Sequence, residues 1–160
     1  MNEAALRELL DRTAIDELHA RYLFALDWQD AEAMASMFTE DGVLDWAGGV
    51  VTGRAEIRAT AAEMLRYFGA RGTAEGLDHS PRLRHFVTNK LIRLNGDTAT
   101  TLAYWFECDN DNRNRWPYVG AYGHYEDELV RTPDGWLFTR RTIYNEMMPQ
   151  RLAPKVNPAW

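Results

Sequence analysis

Between Glu3 and Asp27 apolar residues recur at three- and four-residue steps, with Ile15, Leu18, Tyr22, Ala25 and Leu26 along one side. That is the spacing of an amphipathic helix. Asp30 offers an N-cap to a short second helix holding Ala33, Met34, Met37 and Phe38, which Asp41-Gly42 breaks. Val43 to Trp46 and Val50 to Thr52, joined through Gly48-Gly49, read as a small hairpin. A third helix is expected from about Ala55 to Phe68, then a loop from Gly69 to Pro81 whose Gly72, Gly76 and Pro81 suit a flap. Beyond Pro81 the period changes to two. Strands are expected over Leu83–Leu94 and Thr98–Cys108 around an Asn95-Gly96 turn, and over Tyr118–Arg131 and Trp136–Met147 around Pro133-Asp134-Gly135. The polar run Asp109 to Arg115 separates these two hairpins.

Three helices ahead of long strands, without βαβ alternation, predict an α+β architecture in which N-terminal helices pack on one face of a curved, mainly antiparallel sheet. Curved around the first helix, such a sheet becomes a cone-shaped barrel with a pocket open at one end. The 160 residues fit a single domain, read as 1–148, with 149–160 as a C-terminal tail. Leu152, Val156 and Trp160 stand among the prolines of that tail and suit docking on a surface.

A formal net charge of -6 argues against a phosphate-binding surface, so nucleic acid is not an expected partner. No apolar run reaches the roughly 20 residues that span a bilayer, and the first residues are charged and helical; no membrane contact and a cytoplasmic location are expected. Cys108 is the only cysteine, and His19, His79, His85 and His124 lack HxH or HxxxH spacing. A metal is therefore not expected. Six Trp, seven Tyr and six Phe are the unusual feature. Flat ring faces suit a pocket for an aromatic ligand as well as a core of large side chains.

Alternation in Arg84-His85-Phe86-Val87-Thr88-Asn89 puts His85, Val87 and Asn89 on one face of their strand. His85 can serve as a general base, since its ordinary pKa lies near neutrality, or it is an edge-strand histidine. Asp27 can fix the tautomer of an imidazole. At 100° per residue, however, an ideal helix turns it well away from the stripe of Tyr22, which leaves a solvated helix end as the alternative. The Tyr22 hydroxyl can donate to a developing oxyanion or simply pack. Glu107 shares a strand face with Ala103 and Trp105, facing either pocket or solvent. Arg140 and Arg141 point to opposite faces, and whichever enters the pocket needs an acidic partner or an anionic ligand.

Ala14-Ile15-Asp16-Glu17-Leu18, Tyr22, Ala25-Leu26-Asp27, Phe38-Thr39-Glu40-Asp41-Gly42, Arg84 to Asn89 and Asp134-Gly135-Trp136-Leu137-Phe138 occur in an order that resembles the SnoaL-like branch of the nuclear-transport-factor-2-like (NTF2-like) superfamily. The similarity extends to lyases of the scytalone dehydratase, hexachlorocyclohexane dehydrochlorinase and bile-acid 7α-dehydratase types. It implies a cofactor-free lyase with Asp27 and His85 as its acid/base pair, assisted by Tyr22, Glu107 or Arg141. The substrate it implies is a small aromatic or polycyclic molecule, met by Trp28, Trp46, Tyr104, Trp105, Tyr122, His124 and Asn145. Dehydration, dehydrohalogenation and deformylation of a lignin-type diaryl compound all fit. The superfamily also holds isomerases, cyclases of polyketides or steroids, and non-catalytic binding domains. A homo-oligomer built through the outer sheet face is implied as well, a trimer before a dimer.

Overall fold

The computed structural model describes residues 2–74 and 76–160. Helix α1 spans Glu3–Asp27, capped at its start by the Asn2 side chain, which accepts from the Ala5 N–H at 2.8 Å. Helix α2 (Ala31–Ser36) is capped in the same way by Asp30. Strands β1 (Phe38–Trp46) and β2 (Gly49–Thr52) follow, then α3 (Arg54–Ala74). The long strands are β3 (Arg84–Asn95), β4 (Thr98–Asp109), β5 (Tyr118–Thr132) and β6 (Gly135–Asn145). They form one six-stranded sheet with β1 and β2, in the order β2-β1-β6-β5-β4-β3. Every pairing is antiparallel except that of β1 with β6. The expected α+β fold, helices on one face of a curved sheet, is the observed one.

Two expectations need correction. Phe38 belongs to a strand, not a helix: α2 stops at Ser36, and β1 runs through Asp41-Gly42. Pairing with β6 overrides the local break signal, and a register shift between Phe38 and Val43 takes up the irregularity. Gly42 makes that shift possible, because a Cβ there would stand 2.9 Å from the Cβ of Phe38. The second correction is the flap. Residues through Ala74 continue α3, and only the stretch from Gly76 to Leu83 is loop; Glu75 lies outside the described residues. His79 pins this loop, its Nδ1 2.8 Å from Asp78 Oδ1 and its Nε2 3.2 Å from the Asn110 carbonyl.

The core lies between α1 and the inner sheet face. Ile15, Leu18, Tyr22 and Ala25 bury the expected stripe against Phe38, Leu44, Tyr125, Leu129 and Phe138. Each large side chain so buried contributes about 1.5–3 kcal/mol. At the other end of the helix Asp11 accepts from the Arg131 guanidinium through both oxygens and from Trp136 Nε1 at 3.2 Å. This fastens the first half of α1 to the β5–β6 hairpin. The chain after β6 is held by Arg151, which donates to the Ile143 carbonyl and to Asp45 Oδ1 at 2.7 Å.

Candidate active site

Asp27 is the last residue of α1. The chain leaves the helix there because Gln29 adopts a left-handed φ of 62° and the Asp30 N–H turns back to the Ala25 carbonyl at 2.8 Å. Strand β3 is one edge of the sheet and lies along the flank of α1. The carboxylate that an ideal helix turns away from the Tyr22 stripe therefore meets the start of β3. Its Oδ2 accepts the His85 N–H at 2.9 Å, and its Oδ1 lies 2.7 Å from His85 Nδ1. His85 pairs with Glu107 in the β3–β4 register, and its Nε2 is 3.2 Å from Glu107 Oε2.

The imidazole thus lies between two carboxylates, with side-chain exposures of 5% for Asp27, 9% for His85 and 20% for Glu107. Both ring nitrogens face acceptor oxygens, so both carry protons. Burial pushes the imidazole pKa down, but the hydrogen bonds and charges of Asp27 and Glu107 outweigh it and raise it to about 9. At neutral pH the resting group is an imidazolium.

Trp105 forms a wall beside it, with ring centroids 6.0 Å apart. The indole stacks on Tyr125 and crosses Gly123 to donate to the Tyr144 carbonyl at 3.0 Å. Gly123 is fixed by crowding: a Cβ there would lie 2.0 Å from that same carbonyl oxygen. Gly120 does likewise for Glu107, whose Oε1 would be 3.0 Å from a Cβ at that position. Asn145 pairs with Gly123, and its Oδ1 accepts the Met147 N–H at 2.9 Å. Trp46 shares the inner face with Leu44; its buried Nε1 has no hydrogen-bond partner among the described residues.

Other expected site residues lie elsewhere. Arg141 is the inward arginine, but it is fully buried in the core and its charge is already answered. Its Nε and Nη2 donate to the two oxygens of Asp127 at 2.8 and 2.9 Å, and its Cζ lies 4.1 Å from the Tyr22 ring centre. His19 and Thr101 complete the cluster: His19 Nδ1 is 3.1 Å from Arg141 Nη2, and Nε2 is 3.1 Å from Thr101 Oγ1. Burial and the Arg141 charge hold His19 well below its ordinary pKa, so it is neutral, accepting at Nδ1 and donating at Nε2. Tyr22 packs edge-on against Phe38 and Phe138, and burial raises the pKa of its hydroxyl. Tyr22 and Arg141 are both fully buried in the core. Arg140 is outward, bound to Asp45 at 2.8 Å.

Tyr104, Tyr122 and His124 line the outer sheet face, away from His85. Their neighbours Trp105 and Tyr125 point inward, and strand alternation sends them the other way. His124 stacks on Tyr144 with centroids 4.5 Å apart. Trp28, by contrast, stays at the site: just past the end of α1 and 59% exposed, it lines the same cavity as Asp27 and His85 and lies beneath the Arg84 guanidinium. Sequence reasoning missed Arg84, although it directly precedes His85, and missed the His19–Thr101–Asp127 network. Asp127, opposite Arg141 on the next strand, was the available signal for the latter.

An α+β cone with a histidine set between two carboxylates where α1 ends and the first long strand begins defines an NTF2-like protein with a candidate acid–base site. The model of the SnoaL-like domain matches residues 7–142, and the chain belongs to that family. An uncharacterized protein of Mycobacterium tuberculosis is 29% identical over 141 residues, which cover 86% of each chain. Among solved structures, a single-residue variant of a protein of unknown function from Mycobacterium tuberculosis superimposes with a TM-score of 0.73 at 26% identity, covering 94% of this chain and 84% of the other. An NTF2-like protein with a cystatin-like fold from Novosphingobium aromaticivorans gives a TM-score of 0.72 at 28% identity, covering 98% and 90%.

Proposed function

We propose that this protein is a lyase that needs no cofactor and eliminates a small fragment from an aromatic or polycyclic molecule. The Asp27–His85–Glu107 array carries the reading: one buried imidazolium between two carboxylates holds an acid and a base side by side. The SnoaL-like family includes cyclases and dehydratases, which use such proton transfers. Because His85 is protonated at rest, it takes the role of acid, and Glu107 that of base. Glu107 removes a proton from the carbon next to a carbinol while His85 Nε2 gives its proton to the departing hydroxyl. The C–H electron pair becomes the new C=C bond, and water leaves. The proton on Glu107 then returns to His85 across their 3.2 Å contact, restoring both groups. Asp27 keeps Nδ1 protonated and stabilises the cation throughout. Positioned proton transfer of this kind contributes typically ~10²–10⁴ in rate.

The same pair supports loss of formaldehyde from a diaryl propanediol. Glu107 then deprotonates the primary alcohol, the C–C bond supplies the electrons of the new double bond, and His85 again protonates the departing hydroxyl. Phe24 and Trp28, which line the cavity beside Asp27 and His85, favour ring-bearing substrates.

The test incubates a pool of diaryl and polyketide-type alcohols with the protein and reads the masses of the products. Loss of water, or of water with formaldehyde, is expected from the wild type, and neither from His85→Ala or Glu107→Gln. A product of unchanged mass would make the protein an isomerase or cyclase instead. Turnover left intact by both substitutions would refute the site.

A further inference from the structure

Two neighbouring residues of α1's end grip two neighbouring residues of β3. The His85 main chain and ring both bind the Asp27 carboxylate, at 2.9 and 2.7 Å. One residue earlier, Arg84 Nη1 donates to the Asp27 carbonyl at 3.3 Å and to the Leu83 carbonyl at 2.6 Å. The face of its guanidinium lies 3.9 Å from the ring centre of Trp28, which in turn packs on Phe24 at 5.2 Å. Asp27-Trp28 and Arg84-His85 therefore close on each other through both backbone and side chains.

Trp28 is more than half exposed and contributes little to the core; it lies at the rim of the cavity that Asp27 and His85 line. The helix end it marks is the point where Gln29 leaves helical geometry, and free carbonyls at a helix C-terminus favour a cation beside them. An exposed helix end frays unless tied down. A frayed last turn would swing the Asp27 carboxylate away from Nδ1.

From this we infer that Arg84 and Trp28 are positioning residues for the proposed catalytic pair: the stacked guanidinium locks the last turn of α1 so that Asp27 stays aimed at His85. The planar guanidinium is what the clasp uses, since it stacks and donates in one orientation; a lysine ammonium cannot do both.

This rests on the proposed role of His85, so the test reads the histidine directly and without substrate. The His85 ring is titrated by NMR in wild type, Arg84→Lys, Trp28→Ala and Trp28→Phe. In the wild type the ring is expected to titrate well above the ordinary histidine range. It is expected to fall toward that range in Arg84→Lys and Trp28→Ala, and to recover in Trp28→Phe, which keeps a ring face. Once a substrate is known, kcat should fall roughly 10- to 100-fold in the first two, with KM nearly unchanged. Unaltered His85 titration in Arg84→Lys and Trp28→Ala, with only a lower melting temperature, would overturn the clasp. So would a Trp28→Phe variant as impaired as Trp28→Ala. A failed search for turnover bears on the proposed function alone, because the titration needs no reaction.

Discussion

His85 carries its charge into a largely buried position because two carboxylates meet it there, and this makes the protein's stability depend on pH. Its folded-state pKa, about 9, stands above the ordinary 6.5. Protonation therefore adds stability that is fully present below about pH 6.5 and is lost as pH rises through about 9. The contribution is on the order of 3 kcal/mol. Urea denaturation of the wild type should show the midpoint falling across that window, and His85→Gln, which cannot titrate there, should flatten it. The same charge decides the catalytic role. If His85 is the acid, kcat/KM declines above about pH 9; a rate that climbs toward pH 9 would make it the base. The residue types at 27, 85 and 107 were legible in the sequence. Their protonation was not, because it depends on two carboxylates that converge only when α1, β3 and β4 meet.

At the scale of elements, the site is a junction: the last turn of α1, the first residues of β3 and the end of β4. Its geometry rests on strand register, and Gly123 is where register is least forgiving. The Trp105 indole passes over it to the Tyr144 carbonyl, so a methyl group there must displace backbone. Gly123→Ala is expected to cost several kcal/mol or to prevent folding, measurable by thermal denaturation against the wild type. Amphipathic spacing located α1 and most of the long strands. The extension of α3 through Ala74 and the conversion of Phe38 to strand were hidden, since the local glycines argue for loop and only pairing with β6 makes Phe38 part of a strand.

For the whole molecule, the buried Arg141–Asp127 pair ties β5 to β6 beneath α1. Removing one partner leaves an unanswered charge in the core, so Asp127→Ala should lose about 3–5 kcal/mol in a urea melt. Replacing both residues by apolar ones of similar volume should cost much less. The outer sheet face makes a different prediction. Phe86, Leu91, Tyr104 and Tyr122 are all 45–60% exposed there, an apolar patch of the kind that suits contact with a second copy of the chain. Light scattering after gel filtration is expected to give a mass two or three times that of a single chain, and a monomer at tens of micromolar would count against it.

Periodicity and breaker residues determined the fold class and the number of long strands, while the pairing of Asp27 with His85 was implied only by the resemblance that the order of segments carries. These are local or nearly local properties: a stripe every 3.6 residues, alternation every two, a helix that ends on a carboxylate. Which face each strand turns inward was decided only by the assembled sheet, because alternation defines two faces and does not name the buried one. That choice carried Glu107 to His85, enclosed Arg141 with Asp127, and sent Tyr104, Tyr122 and His124 to the outside. It also set Arg84 against Trp28, residues 56 positions apart in the chain and joined only where the edge strand lies along the helix.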